Sequence, residues 1–270
     1  MNTQMIDMMT DFKGPELHFY DLGKMVTAFS TTRKGGVSEG LYGEFNINPF
    51  CGDAVEHVSV NRHALCRTLK IEESKLILPH QVHGIESRDI AKEFFSLPVM
   101  VQNQLLEGVD CVMTDVTGAC IGVSTADCIP VLLYDPVHHA AAAVHAGWRG
   151  TLARIVRKAV RDMHVCYQSN PADLLVVIGP GISLDSFEVG QDVYDQFSHA
   201  GFDMNAIARM DEKWHIDLSL CNRLQLEAVG VKSEHIDICD ICTYLHSDLF
   251  FSARRLGADS GRIYTGIIMR

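Results

Sequence analysis

Residues 125–151 read TADCIPVLLYDPVHHAAAAVHAGWRGT. Two apolar runs, PVLLYD (130–135) and AAAAVHAG (140–147), are separated only by Pro136, Val137, His138 and His139. Each run has the length of a strand, and the four residues between them make a hairpin-length connection. Paired antiparallel, the runs bring Cys128, just before the first, and His145, near the end of the second, to the same end of the hairpin. The two side chains are distant in sequence and become neighbours in space.

Runs of the same kind recur. ACIGVST (119–125), DLLVVIGP (173–180), IDICDICTY (236–244) and RIYTGIIMR (262–270) have the length and Val/Ile content of buried strands. TLARIVRKAVRDMHVCY (151–167) has a helical rhythm. Leu152, Ile155, Val156, Val160 and Met163 share one face, Arg154, Arg157, Lys158 and Arg161 mostly take the other, and Thr151 is the expected N-cap. HVSVNRHALCRTLK (57–70) and DLSLCNRLQLEAVG (217–230) predict two more amphipathic helices, the second closing on a Gly stop signal. Strands and helices mix without strict alternation, repeats or low-complexity tracts. The expectation is an α+β (mixed α/β) fold in a single domain over residues 1–270, with residues 1–20 peripheral.

The chain has 270 residues, 47% hydrophobic and 21% charged, enough to bury a core. A net charge of −11 argues against a broad footprint for nucleic acid or anionic lipid, so an anionic substrate would need a local pocket of Arg or Lys. The start, MNTQMIDMMTDFKG, lacks the basic and apolar pattern of a secretory signal, and no run reaches membrane-spanning length. A cytoplasmic location without membrane or nucleic-acid partners is expected. Nine cysteines, an odd number, point to reduced thiols rather than a disulfide framework.

LPHQVHG (78–84) adds His80 and His83. A Cys thiolate with two imidazoles is a good zinc ligand set that leaves a fourth position open for water or substrate. The spacing matches no zinc finger, and a core Cys with two hydrogen-bonded His is the alternative. Within HAGWRG, glycines let backbone approach a ligand closely. Arg149 offers a fork for phosphate or carboxylate, or a structural salt bridge, and Trp148 a stacking face, or core packing. Cys239 and Cys242 form a C-x-x-C with no second pair, and packing on opposite faces of a strand is the favoured reading. VIGPGIS carries no dinucleotide fingerprint, and GVSTA lacks the second Gly of a hydrolase elbow, so Ser124 reads as structural.

TRKGGVS (32–38), LPHQVHG, GVDCVMTD (108–115), TADCIPVLLYDP, AAVHAGWRGT, VIGPGIS followed by FEVGQDV, and CTYLHSDLFFSARRLGADSGR (242–262) together resemble the purine nucleoside phosphorylase/polyphenol oxidoreductase "laccase-domain" family, also described as peptidoglycan editing factors. The resemblance runs from about Ser30 to Arg270. It implies a four-layer α/β/β/α sandwich and one zinc held by His83, Cys128 and His145. It also implies small-molecule partners, nucleoside and phosphate. Adenosine, inosine and methylthioadenosine would be split by phosphate into base and ribose 1-phosphate, and adenosine would be deaminated. One departure is Gly181, where many members of the family have Cys.

Catalytic roles are thus expected at His83, Cys128, His145 and Arg149, and phosphate binding at Arg33, Arg149, Arg254 or Arg255. Gln81 would contact substrate or cap a turn. His80 would shuttle protons, support a metal ligand or lie at the surface. Asp127 would orient a ligand or satisfy backbone donors. Two other activities compete. One is copper-dependent polyphenol oxidation, which sits poorly with a single ligand triad although thiolate and imidazole also suit copper. The other is an amidohydrolase editing peptidoglycan precursors, with Cys128 as nucleophile and His145 as base. A binding module without turnover is the non-enzymatic alternative.

Overall fold

The computed structural model describes residues 14–270, so most of MNTQMIDMMTDFKG lies outside the described residues. In chain order the first strands are β1 (Leu17–Tyr20), β2 (Val26–Thr31), β3 (Leu76–Ile77), β4 (Ser87–Asp89), β5 (Cys111–Thr114), β6 (Cys120–Thr125), β7 (Ile129–Asp135) and β8 (Ala140–Ala146). They are followed by β9 (Leu175–Ile178), β10 (Glu188–Val189), β11 (Ala208–Met210), β12 (Trp214–Ile216), β13 (Ile236–Ile238) and β14 (Ile263–Met269). The helices are α1 (Val55–Leu69), α2 (Val99–Leu105), α3 (Trp148–Leu152), α4 (Ile155–Tyr167), α5 (Gln191–His199), α6 (Met204–Ile207), α7 (Leu218–Glu227) and α8 (Ala253–Leu256). One sheet has the order β1-β2-β14-β6-β3, a second β13-β9-β7-β8-β5-β4, and a small third β10-β12-β11.

The expected hairpin is present: β7 and β8 pair antiparallel, with Pro130 opposite His145 and Ile129 opposite Ala146. Strand alternation sorts its side chains into two cores. Val131, Leu133, Ala142 and Val144 pack with Ile155, Val156, Ala159 and Val160 of α4 and with Leu218, Cys221 and Leu226 of α7. Leu132, Tyr134, Ala141 and Ala143 turn the other way, onto Val26, Ala28, Ile121, Val123 and Ile267 of the first sheet. The far side of that sheet, through Phe29, Cys120, Tyr264 and Ile268, packs on Ala64, Leu65, Cys66 and Leu69 of α1. The layers are therefore helix, sheet, sheet, helix. Because β7 and β8 are buried on both faces, they read as continuous apolar runs rather than as alternating ones.

Two local expectations are corrected. Thr151 does not cap the long helix: it lies inside α3, where its hydroxyl donates to the Ala146 carbonyl and accepts from Asn222 Nδ2. The chain breaks at Arg154 in a left-handed conformation before α4 begins. IDICDICTY is strand only over Ile236–Ile238, and Cys239 and Cys242 lie beyond it. Among the described residues no helix is long and apolar enough to cross a membrane.

The first sheet contains a steric lock. Gly122 of β6 faces Gly266 of β14, and the Tyr264 ring fills the space there. A Cβ added at Gly122 would stand 2.3 Å from Tyr264 Cζ. The buried Tyr264 hydroxyl donates to the Ile77 carbonyl at 2.9 Å, tying β14 to β3 across β6. Tyr264→Phe would remove that buried hydrogen bond. The expected loss is about 1–3 kcal/mol, read as a lower urea midpoint at unchanged slope.

Candidate metal centre

The chain crosses from the first sheet to the second at Ala126–Cys128, between β6 and β7. Asp127 makes the corner in a left-handed conformation, φ 83°. One carboxylate oxygen accepts from Thr243 Oγ1 and the other from the Arg254 backbone N–H, both at 2.7 Å. Cys128 follows at the mouth of the hairpin. His145 shares the alternation of Ala141 and Ala143, so it faces the side between the sheets. His83 comes from the loop between β3 and β4, also left-handed, φ 62°.

The ligand atoms of His83, Cys128 and His145 all lie within 4.8 Å of one another. The two imidazoles meet edge to face, with ring centroids 4.8 Å apart. Burial by itself pushes the Cys128 thiol up, but the neighbouring His145 and His83 rings outweigh it and bring the group below its ordinary value. Burial likewise opposes charge on His145, yet Cys128 and Asp110 hold its proton more tightly than usual. A thiolate against two imidazoles is a strong donor set for a borderline-soft ion.

Asp110 organises these donors. It is fully buried, directly before β5. Its Oδ1 lies 2.7 Å from His145 Nδ1 and accepts from the His83 N–H at 3.1 Å. Its Oδ2 accepts from the Gly84 N–H at 2.7 Å and the Val82 N–H at 3.3 Å. Burial pushes this carboxyl up, but the His145 ring and those backbone donors outweigh it and keep it ionised. An ionised carboxylate only accepts, so Nδ1 of His145 carries the proton and Nε2 is left as the ligand atom.

Gly147 completes the cradle. A Cβ there would stand 2.9 Å from Cys128 Sγ, 3.1 Å from His83 Cδ2 and 3.7 Å from His145 Nε2, hard against the donor side chains. The donors, the buried carboxylate behind them and this clearance together fit a bound metal ion.

The triad opens into a cavity of about 600 Å³ whose walls include Phe50, His80, Gln81, Ser124, Asp127, Arg254 and Arg262. Gln81 spends its amide on the Ser124 backbone, donating to its carbonyl at 2.8 Å and accepting from its N–H at 2.7 Å. It locks the loop before His83 to the end of β6. Arg254 reaches the cavity, donating to the Glu188 carbonyl. Arg262 was not singled out from sequence. The carbonyls of Ser260, Gly261 and Ala258 clamp its guanidinium.

The remaining guanidiniums are engaged elsewhere. Arg33 donates to the Gly43 and Ser247 carbonyls and lies over Phe251. Arg149 stacks on Trp148, which packs against the helix-side core, and Arg255 stacks on Tyr244. His80 pairs with Glu107 away from the triad. Gly181 sits behind the site, bridged through its backbone to Cys242. Asp110 was also missed, because nothing in GVDCVMTD distinguishes a buried carboxylate from a turn residue.

A family model described as multi-copper polyphenol oxidoreductase laccase matches residues 27–270. The purine nucleoside phosphorylase of Bacteroides thetaiotaomicron is 45% identical over 247 residues, spanning 90% of this chain and 92% of that protein. Adenosine deaminase RL5, from an unknown prokaryotic organism, is 39% identical over 259 residues, spanning 93% and 98%. The crystal structure of the Bacillus licheniformis hypothetical protein YfiH superposes with a TM-score of 0.88 at 29% identity, covering 96% of this chain and 98% of that one.

Two substitutions test the cradle. Gly147→Ala is expected to abolish metal binding while the far-ultraviolet circular dichroism stays unchanged. Asp110→Asn is expected to weaken metal affinity about 10–100-fold, the usual effect of losing the group behind a ligating His. Competition with a chromogenic chelator measures both.

Proposed function

Because the chain belongs to the multi-copper polyphenol oxidoreductase laccase family and matches it over residues 27–270, we propose that it is a zinc-dependent purine nucleoside phosphorylase that also deaminates adenosine. The observation that carries this reading is one compact sulfur–nitrogen–nitrogen donor set opening into a cavity with Arg254 and Arg262 in its wall. His83, Cys128 and His145 hold the metal in this reading. When bound, zinc supplies Lewis acidity toward an oxygen of phosphate or water.

The residues around it do the rest. Arg254 and Arg262 bind and orient the phosphate dianion in a protein whose net charge is −11. Both carboxylate oxygens of Asp127, the acidic group in the cavity wall, are engaged by Thr243 and the Arg254 N–H, which hold them in place. Asp110 fixes the His145 ring, and Gln81 keeps the His83 loop against β6. Phenol oxidation by several coppers would need more ligands than this one cluster, the one group of three or more potential ligands found among the described residues.

A second reading has its own observation. Cys128, His145 and Asp110 also line up as thiolate, imidazole and carboxylate, the order of a cysteine hydrolase. Removing the metal separates the two, since a cysteine hydrolase keeps its activity and a zinc enzyme loses it.

The test is product analysis with a nucleoside panel, with and without phosphate. Inosine is expected to yield hypoxanthine and ribose 1-phosphate only when phosphate is present, and adenosine to yield inosine and ammonia without it. Both reactions should stop on chelation and return with zinc. No change in any nucleoside would overturn the proposal. Arg262→Ala is expected to raise the KM for phosphate about 10–100-fold, the scale of losing charge-assisted hydrogen bonds, with little change in the KM for inosine.

A further inference from the structure

Phe50 is a large apolar side chain left 50% exposed, in the wall of the cavity that holds the metal triad. The chain around it is firmly held. The Phe50 N–H donates to Asn48 Oδ1 at 2.7 Å, and the Asn48 N–H donates to Asn46 Oδ1 at 3.1 Å. Asn46 is fully buried; its Nδ2 donates to the Asn48 carbonyl and to Asp53 Oδ2, and its Oδ1 also accepts from the Arg262 N–H. Ser38 donates to the same Asp53 oxygen, and Asn61 of α1 donates to Ser38. A connected set of hydrogen bonds thus runs from the buried side of α1 to Phe50, and one member of it positions Arg262.

The ring itself is backed. His80 stacks on it, centroids 4.3 Å apart at 27°. Nδ1 of His80 is held 2.8 Å from Glu107 Oε1. Holding an apolar ring rigid and half in water gains little for folding, whereas a fixed aromatic face beside a cavity is what a planar heteroaromatic ligand recognises. Asn48 and Cys51, from the same loop, line the cavity too.

We propose that Phe50, backed by His80, is the stacking platform for the purine ring. The proposal rests on the nucleoside reading above and names how the base is gripped. Stacking reads the π-face and not the edge of a base. The platform therefore accepts adenine and hypoxanthine alike, as an enzyme acting on both adenosine and inosine requires.

The experiment uses the full chain with Phe50→Leu and Phe50→Trp. Phe50→Leu should raise the KM for inosine and for adenosine about tenfold each, the scale of one lost base–aromatic stack. The KM for phosphate and the bound metal should not change. Phe50→Trp should restore the nucleoside KM, and free adenine should quench its fluorescence beyond any quenching of the parent protein's tryptophans. Unchanged nucleoside KM in Phe50→Leu, or an equal rise for phosphate, overturns the platform. Quenching by free adenine needs no turnover. If no nucleoside reacts but Phe50→Trp is quenched, the activity falls and the platform stands; if nucleosides react and free adenine does not quench, the platform falls alone.

Discussion

The buried carboxylate of Asp110 is the constraint on which the rest of the site depends. An ionised group with no exposed surface is costly unless it is fully paired. Here the pairing partners are the His145 ring and the consecutive N–H groups of Val82, His83 and Gly84. One anion therefore fixes the tautomer of one candidate ligand and the backbone of the loop carrying another. The Asp110 carbonyl also accepts from the His145 N–H at 2.8 Å, so β8 and the start of β5 are held together at that point.

The third donor arrives by a different device. Cys128 sits where the chain leaves one sheet for the other, and that corner requires a left-handed Asp127. A non-Gly residue in this region persists only when its surroundings hold it there. Thr243 and the Arg254 N–H do so, and the same bonds set the start of α8 and bring Arg254 to the cavity. The backbone strain at Asp127 and the placement of a cation are thus one feature. An acidic protein acquires cationic side chains at this cavity, whose wall includes both Arg254 and Arg262.

Much of this fold was legible because β7 and β8 are buried on both faces, and such strands announce themselves as apolar runs. Their four-residue connection made the hairpin, and the hairpin made Cys128 and His145 neighbours. His80 and His83 were both candidates by residue type, and the resemblance chose His83, since a loop crossing between sheets leaves no periodicity. Local rules failed where tertiary contacts outcompeted them. Thr151 has the identity of a cap, yet its hydroxyl is spent on Ala146 and Asn222. IDICDICTY has strand composition, but β13 pairs with β9 over just three residues before the chain turns to set Cys242 beside Gly181. Arginines were the least legible of all. Arg149, within HAGWRG, is drawn onto Trp148, whereas Arg262, at the end of the 242–262 stretch and given no role there, reaches the cavity. The direction of a long side chain is set by what it stacks on, which spacing does not encode.

The central claim is that one sulfur and two imidazole nitrogens share a single cation. X-ray absorption at the metal edge, on protein purified without added metal, tests it most directly. The account predicts about one zinc per chain, with one sulfur near 2.3 Å and two nitrogens near 2.0–2.1 Å, the ordinary zinc distances. A first shell lacking sulfur, or one built from several sulfurs, would contradict it.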